Sequence, residues 1–378
     1  MIFENANLTP RQFLADYWQK KPLLIRQALP GFIPELDADD IAGLACDELA
    51  ESRLVTGSFP EHDWQLRYGP FKEEDFVEFP ETNWTLLVQD VEKHYPPLQG
   101  LMQEFSFLPR WRIDDLMVSV AGPGGSVGPH IDQYDVFLLQ AQGNRRWQIA
   151  GAFDDKLLPD CELNVLQRFQ AEQEWVLEPG DLLYLPPGIA HHGVALDSCM
   201  TWSIGMRAPS AADFFQTFGE WLADKQDEGE RYRDPGLEVA TRSGEIDTLA
   251  ICQFRDFFQA CNIGSEDFSA FLGVFLSRYR LANEPATPAM EIDPAGLIES
   301  LARGQRLQYN PWTRLLWMES KCGARLFAAG TEYSCTTDCA QTICDPDRLQ
   351  QLDQVLSQPD LDLLCELLNR GHLYLEQL

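Results

Sequence analysis

Two short segments, each rich in glycine and proline and each leading to a histidine, constrain the fold of this chain more than any other feature of its sequence. The first spans residues 122–132 and reads G-P-G-G-S-V-G-P-H-I-D. The second spans residues 178–191 and reads E-P-G-D-L-L-Y-L-P-P-G-I-A-H. Around them stand short apolar runs bounded by turn residues, such as 115–120, a pattern typical of a β-sandwich or a barrel. We therefore predict that both segments belong to a mainly β domain.

The first segment ends with His130 and Asp132, two residues apart. On a β-strand, residues i and i+2 point to the same side, so an imidazole and a carboxylate are presented together. That pair supplies two of the three ligands of the facial triad found in non-haem Fe(II) oxygenases. In a chain with six histidines, an isolated H-x-D motif would arise by chance in roughly a third of cases, so a further signal is needed.

The second segment supplies that signal. Four residues match the second motif of the cupin superfamily, G-x5-P-x-G-x2-H: Gly180, Pro186, Gly188 and His191. The first cupin motif opens G-x5-H, which residues 124–130 fit, but Asp132 replaces its second histidine and its glutamate is missing. The resemblance predicts a double-stranded β-helix, or jelly roll, whose histidine-rich metal cage has become the triad of His130, Asp132 and His191.

His191 and its neighbour His192 compete for the third ligand position. Neighbouring residues of a strand face opposite sides, so only one of them can point at the metal. The motif spacing selects His191. We expect His192 to lie beside the site, at its rim or on the surface.

A facial triad leaves three coordination positions on the iron. The co-substrate 2-oxoglutarate can fill two of them and dioxygen the third, while the other carboxylate of 2-oxoglutarate needs a buried cation, for which arginine is well suited. In the JmjC branch of the cupins, this base stands fifteen residues after the H-x-D histidine, which is Arg145 here. Ser119 is a candidate hydroxyl donor to the same carboxylate. The alternative for Arg145 is a surface turn.

Three regions separate along the chain. Residues 1–209 carry the motifs and form the predicted catalytic domain. Residues 210–281 begin with a capping box at Ser210 and carry phenylalanines at helical spacing. Such a stripe usually packs within its own chain, but here we also predict that these helices pack against a second copy of the chain in a homodimer. Residues 282–378 mix helices and short strands in the order of a winged helix.

The charge of the chain narrows the class of partner. Lys and Arg number 29 against 59 Asp and Glu, a net charge of −30, which favours a basic protein partner over direct contact with nucleic acid or anionic lipid. Within residues 282–378, seven basic residues face fourteen acidic ones, so we expect a structural or protein-binding module there. The sequence has no apolar stretch long enough to span a membrane and no export signal at Met1, which predicts a cytoplasmic protein.

The ten cysteines are scattered and include no C-x-x-C pair. The one loose cluster consists of Cys335, Cys339 and Cys344, and it lacks the spacing of a zinc finger. We expect reduced thiols, as is usual in a cytoplasm.

Beyond these motifs, the chain resembles the bacterial ribosomal oxygenases, which are JmjC-type 2-oxoglutarate-dependent hydroxylases. Residues 13–26, 107–115 and 132–137 carry the resemblance, and the three-part layout covers the whole chain. It implies an Fe(II)-dependent dioxygenase that hydroxylates the β-carbon of an arginine on the sixteenth protein of the large ribosomal subunit. Tyr134 and Asp135 are candidates for holding the guanidinium, by a cation–π contact and a charge-assisted hydrogen bond. Packing within the strand is the alternative for both.

Three other functions remain open from the sequence. The same chemistry could act on a histidine of another ribosomal or basic protein. A non-catalytic metal-binding cupin could serve as an interaction protein, and a sugar-type cupin isomerase would use metal without 2-oxoglutarate. The intact triad together with Arg145 favours an oxygenase over the last two.

Overall fold

The computed structural model describes residues 2–207, 209–225, 231–233, 246, 248–260, 264–279, 282–352 and 357–376. The chain divides into two compact units, residues 1–208 and 209–378. The boundary predicted between residues 281 and 282 adjoins residues 280–281, which lie outside the described ranges. Nowhere in the described part of the chain is a helix both long and apolar enough to cross a membrane.

The first unit consists mainly of β-strands. Its described strands are β1 Leu23–Ile25, β2 Ser52–Thr56, β3 Gln65–Tyr68, β4 Trp84–Val88, β5 Leu116–Ala121, β6 His130–Ile131, β7 Asp135–Gln142, β8 Arg145–Ala150, β9 Gln173–Leu177, β10 Leu182–Leu185, β11 Ala190–Ala195 and β12 Cys199–Met206. Its α-helices are α1 Pro10–Asp16, α2 Ala38–Leu44, α3 Glu73–Val77, α4 Val91–His94 and α5 Gln99–Gln103. Thr9 caps α1, and Pro10 occupies its first position.

Two antiparallel sheets form the body of this unit. The larger has the order β1-β10-β7-β12-β5-β4-β2-β3, and the smaller has the order β6-β11-β8-β9. The predicted double-stranded β-helix is confirmed. Strand β7 shows how the sheets pack, because its residues alternate between two apolar clusters. Phe137 and Leu139 pack into the main core, whereas Val136 and Leu138 join a smaller cluster that includes Trp147 of the other sheet.

Asp135, at the start of β7, belongs to the core. Its side chain is fully buried and accepts hydrogen bonds from Tyr184 Oη at 2.6 Å, Gln19 Nε2 at 3.0 Å and Arg112 Nη2 at 2.9 Å. Arg112 also neutralises its charge. The structure thus corrects the expectation that Asp135 holds a substrate guanidinium, because both oxygens are already used and are closed to solvent.

The second unit combines helices with two small sheets. Its described elements are α6 Ala211–Asp224, α7 Thr248–Ala260, α8 Ser265–Arg278, α9 Pro294–Ala302, β13 Arg306–Tyr309, β14 Leu315–Ser320, β15 Gly323–Ala328, β16 Thr331–Cys335, α10 Thr337–Cys344, α11 Pro346–Gln350, α12 Gln358–Asn369 and β17 Leu373–Glu376. Strand β13 pairs with β17, and β14 to β16 form an antiparallel ribbon. The order of these elements fits the predicted winged-helix-like layout.

The predicted phenylalanine stripe packs inside the second unit. Phe214 and Phe218 of α6 pack against the buried Phe271 of α8, with ring centroids 5.2 and 4.8 Å apart, so these members of the stripe pack within their own chain. Asp345 and Ser357 cap separate helices, α11 and α12, and residues 353–356 between them lie outside the described ranges.

Removing the Tyr184 hydroxyl should destabilise the first unit. We expect Tyr184→Phe to lower the free energy of unfolding by about 1–3 kcal/mol, because it leaves a buried carboxylate oxygen without a donor. Tyr68→Phe, at a side chain that is 65% exposed, should have almost no effect. Urea denaturation of both variants makes the comparison, and equal losses would contradict the assignment of Asp135 to a hydrogen-bonded core.

Candidate active site

Three potential metal ligands converge near the paired strands β6 and β11. His130 of β6 lies directly opposite His191 of β11 in the antiparallel register, and their ring centroids are 4.2 Å apart. The carboxylate of Asp132 lies 3.9 Å from His130 Nε2 and 3.6 Å from His191 Nε2. One ligand atom from each residue falls within a group no wider than 4.8 Å, so a single ion could contact all three.

Backbone carbonyls hold Nδ1 of both histidines, which leaves Nε2 of each ring for the metal. His130 Nδ1 lies 2.9 Å from the carbonyl oxygen of Gly128, and His191 Nδ1 lies 2.9 Å from that of Ile189. A carbonyl only accepts hydrogen bonds, so each Nδ1 carries the proton and each Nε2 keeps its lone pair. Burial, and to a lesser degree His130, lowers the pKa of His191 to about 4. Its imidazole is therefore neutral at pH 7.

Gly128, two residues before His130, lies in a backbone conformation and a space that favour glycine. Gly128 has a φ of +80°, and a Cβ there would lie 2.7 Å from a methyl carbon of Val165. This conformation aims the Gly128 carbonyl at His130. Gly128, which lies inside the first motif, thus sets the orientation of His130 two residues later.

His192 points away from the ligand group, as the alternation of a strand requires. It is buried rather than at the surface, with its ring 5.6 Å from that of Phe59 and 5.9 Å from that of Phe169. Its Nε2 has no hydrogen-bond partner. The structure therefore brings His191 to the other two ligands and encloses His192 among aromatic rings.

Arg145, the first residue of β8, is a buried cation with unused donors. Its side chain is 3% exposed. Its Nη2 donates to the Gly193 carbonyl oxygen at 3.3 Å, whereas Nε and Nη1 have no hydrogen-bond partner. The Cys199 thiol beside it is only a weak acceptor. Because buried N–H groups without partners are costly, this guanidinium is suited to receive a carboxylate.

Trp147 and Gly193 complete this wall of the site, and neither was predicted from the sequence. Trp147 lies between Arg145, 5.3 Å from the ring, and the His191 ring at 5.9 Å, and its buried Nε1 has no partner. Gly193 pairs with Trp147, and a Cβ there would approach the indole to 2.7 Å and Arg145 Nε to 2.8 Å. Strand alternation was the available signal, since each follows a predicted site residue by two positions.

The other predicted cofactor residue, Ser119, already has a partner. It lies buried in β5, where its Oγ donates to the Thr201 carbonyl oxygen at 3.3 Å. A hydroxyl has only one hydrogen to donate. Ser119 would therefore have to break this bond before it could serve a carboxylate.

Tyr134 stands beside the ligand group, and its hydroxyl hydrogen-bonds to Asp132. Burial and the Asp132 charge raise its pKa. The guanidinium of Arg207 lies 5.6 Å from its ring centroid and is held by Asp114 through a 2.5 Å ion pair. The chain thus supplies its own cation to the ring that was expected to bind a foreign one.

Asp115 was also missed by the sequence analysis. This carboxylate is 8% exposed and close enough to Tyr134 to raise that residue's pKa. Burial, reinforced by Asp114 and Asp90, raises the pKa of Asp115 to about 7. Arg207 and Lys93 offset this only in part. A further cation nearby would stabilise the ionised form of this carboxyl group.

Each of the two units matches a known protein family. Residues 100–214 match a family model described as JmjC domain, and residues 258–374 match one described as ROXA-like winged helix. The chain is 36% identical over 296 residues to the ribosomal protein uL16 3-hydroxylase of Escherichia coli, an alignment that covers 78% of each protein.

Solved structures extend this similarity along the chain. An X-ray structure of Escherichia coli YcfD aligns with a TM-score of 0.86 and 32% identity over 98% of both chains. A second structure is described as YcfD, a ribosomal oxygenase from Escherichia coli, in complex with cobalt and 2-oxoglutarate. It aligns with a TM-score of 0.83 and 32% identity, covering 98% of this chain and 99% of the other.

The two adjacent histidines provide a matched test of metal binding. We expect His191→Ala to weaken Co(II) binding by more than about 100-fold, because it removes a ligand, and His192→Ala to weaken it by about tenfold at most, because losing a residue outside the ligand group costs less. Anaerobic calorimetry with variants shown to be folded by circular dichroism makes the measurement. Comparable losses in both variants would mean that the ligand group is misassigned.

Proposed function

The chain belongs to the bacterial ribosomal oxygenases, and from this we propose that it is an Fe(II)- and 2-oxoglutarate-dependent dioxygenase that hydroxylates the β-carbon of an arginine in ribosomal protein uL16. One observation carries the proposal: a buried guanidinium, two of whose nitrogens have no hydrogen-bond partner, lies on the strand that pairs with the strand of His191. A metal-binding cupin without a carboxylate ligand would have no use for that arginine.

The ligand group fits the proposed metal. Two neutral imidazoles and one carboxylate are the donor set of non-haem Fe(II) oxygenases, and His130, Asp132 and His191 would hold the ion. When bound, iron and 2-oxoglutarate supply the activation of dioxygen, with succinate and carbon dioxide as co-products. The residues of the chain hold the ligands in position. The Gly128 and Ile189 carbonyls fix the two imidazoles, and Tyr134 holds the carboxylate.

The buried donors fit the distal carboxylate of 2-oxoglutarate. Arg145 offers Nε and Nη1, and Trp147 adds Nε1 from the same face of β8. In a site closed to water, such charge-assisted hydrogen bonds are stronger than in solution. Gly193 leaves room for both side chains, since any larger residue would displace them. We therefore assign Arg145 as the main carboxylate-binding residue and Trp147 as a second donor.

We assign the substrate guanidinium to the region of Asp115 and Tyr134. Asp115 lacks a full counter-charge, and an arginine side chain would supply one. The net charge of −30 also favours the approach of a basic ribosomal protein. The Escherichia coli relative is named for 3-hydroxylation of uL16, and carbon 3 of an amino acid is its β-carbon. A histidine substrate, the alternative, would not need a buried carboxylate.

The second unit supports the proposed homodimer. Helix α7 exposes a row of large apolar side chains: Leu249, Ile251, Phe254, Phe257 and Phe258. Apolar surface of this kind usually marks an interface, and we propose that it contacts a second copy of the chain. A mass of one chain by light scattering at micromolar concentration would contradict this.

We also propose the organisation and location that follow from this function. Residues 1–209 form the catalytic domain, 210–281 the dimerisation region and 282–378 a winged-helix module that serves structure or protein binding. The enzyme would act in the cytoplasm, where its ribosomal substrate is made.

Mass spectrometry of uL16 tests the substrate directly. Ribosomes from wild-type cells should contain a uL16 arginine peptide heavier by one oxygen atom, and ribosomes from a deletion strain should lack the modification. An unchanged uL16 in the deletion strain would overturn the choice of substrate. Loss of an oxygen from a histidine peptide of another ribosomal protein would support the alternative.

With purified enzyme, Asp115→Asn tests the binding of the substrate cation. We expect kcat/KM for a uL16 peptide to fall by about 10- to 100-fold, because a hydrogen bond between charged groups contributes about 1.5–3 kcal/mol. Oxidation of 2-oxoglutarate without peptide is the internal control and should stay unchanged. A variant with unaltered peptide kinetics would show that the guanidinium binds elsewhere.

A further inference from the structure

The second unit carries a pair of thiols with no assigned role. Cys335 is the last residue of β16, and Cys339 lies in the first turn of α10. Both belong to the cluster singled out in the sequence, and neither forms a disulfide in the structure. Cys335 is partly exposed, whereas Cys339 is buried among apolar side chains.

The cap of α10 brings the two side chains together. Thr336 is the N-cap residue and accepts a hydrogen bond from the Cys339 N–H at 3.1 Å. In this arrangement the side chain of the third helical residue turns back towards the chain that enters the helix. The thiols of Cys335 and Cys339 are accordingly hydrogen-bonded to each other.

The surroundings make the two sulfurs unequal. The hydrogen bond from Cys339, with help from the Ala340 N–H, lowers the pKa of Cys335 in spite of its partial burial. The same bond, burial and the nearby Asp360 raise the pKa of Cys339. A partly exposed thiol with a lowered pKa therefore lies beside a buried thiol with a raised pKa, which is the arrangement of reactive dithiols. Asp360, in the first turn of α12, hydrogen-bonds to the Cys339 thiol.

We propose that Cys335 and Cys339 are an oxidation site that reacts with hydrogen peroxide to form a reversible disulfide, with Cys335 as the attacking sulfur and Cys339 as the resolving one. A metal site is not supported. Among the described residues, His130, Asp132 and His191 form the one group of three or more such side chains close enough to share an ion.

The reaction balances in two steps. The Cys335 thiolate attacks one oxygen of the peroxide, the O–O bond breaks, and Cys335 becomes a sulfenic acid while the released hydroxide takes up a proton to form water. Cys339 then attacks the Cys335 sulfur, so the S–S bond forms as the S–O bond breaks. The Cys339 proton passes to Asp360 and from there to the departing hydroxide, which leaves as a second water. Two thiols and one peroxide thus give one disulfide and two waters. Two molecules of a small thiol such as glutathione reduce the bridge to two thiols and become a disulfide themselves.

The arrangement of tryptic sites makes the test specific. Cleavage after Arg325 and Arg348 yields one peptide, residues 326–348, that contains Cys335, Cys339 and Cys344. The full-length protein is treated with equimolar hydrogen peroxide, blocked with N-ethylmaleimide and digested. We expect this peptide to carry one label instead of three and to be lighter by two hydrogens, with dithiothreitol restoring three labels. The exposed Cys322, in its own short peptide, should remain labelled.

Matched serine variants separate the proposal from general oxidation. Cys344→Ser should still form the bridge, whereas Cys339→Ser should accumulate a sulfenic acid at Cys335 that dimedone traps. Cys339→Ser should also move the pH profile of Cys335 alkylation to higher pH. At neutral pH the alkylation rate should fall about tenfold for each unit by which the pKa of Cys335 rises. Asp360→Asn should slow the second step and raise the trapped fraction.

Two results would overturn the proposal. One is a peptide that keeps three labels at peroxide concentrations that oxidise Cys322. The other is a bridge that disappears in Cys344→Ser or that links two chains. Neither readout depends on hydroxylase activity, so the dithiol and the proposed enzyme function fail or stand separately.

Discussion

The register of strand β11 is the constraint on which the site depends. On one side it pairs with β6, which sets His191 opposite His130. On the other it pairs with β8, which sets Gly193 opposite Trp147 and Ala195 opposite Arg145. Because side chains alternate along a strand, a slip by one residue would replace His191 with His192 and turn the row of site residues outward. One strand thus aligns the ligand group and the buried guanidinium together.

Buried charge distinguishes the structural residues from the functional ones. Asp135 is fully paired, with three donors on its two oxygens, and it stabilises the fold. Arg145 is buried with its hydrogen bonding incomplete, and burial raises the pKa of Asp115 to about 7. A folded protein tolerates such buried groups where a bound ligand supplies the missing hydrogen-bond or charge partner. The distal carboxylate of 2-oxoglutarate would bind to Arg145, and the guanidinium of a basic substrate would lie beside Asp115.

The sequence predicted what depends on local spacing and missed what depends on distant contacts. Strand alternation and the two motifs predicted the jelly roll and located His130, Asp132 and His191, which the structure brings together. Asp135 was misjudged because its partners Gln19 and Tyr184 lie 116 and 49 residues away, beyond any local pattern. Asp115 was missed for the same reason, since its state depends on groups from several segments.

We propose that the ligand group and the buried guanidinium form one site for Fe(II) and 2-oxoglutarate. Anaerobic addition of 2-oxoglutarate to the Fe(II)-loaded protein, followed by visible absorption, tests it most directly. We predict a weak charge-transfer band in the wild-type protein and a much lower 2-oxoglutarate affinity in Gly193→Ala, whose added methyl would displace Arg145 and Trp147. The absence of a band from the iron-loaded wild-type protein would contradict the account.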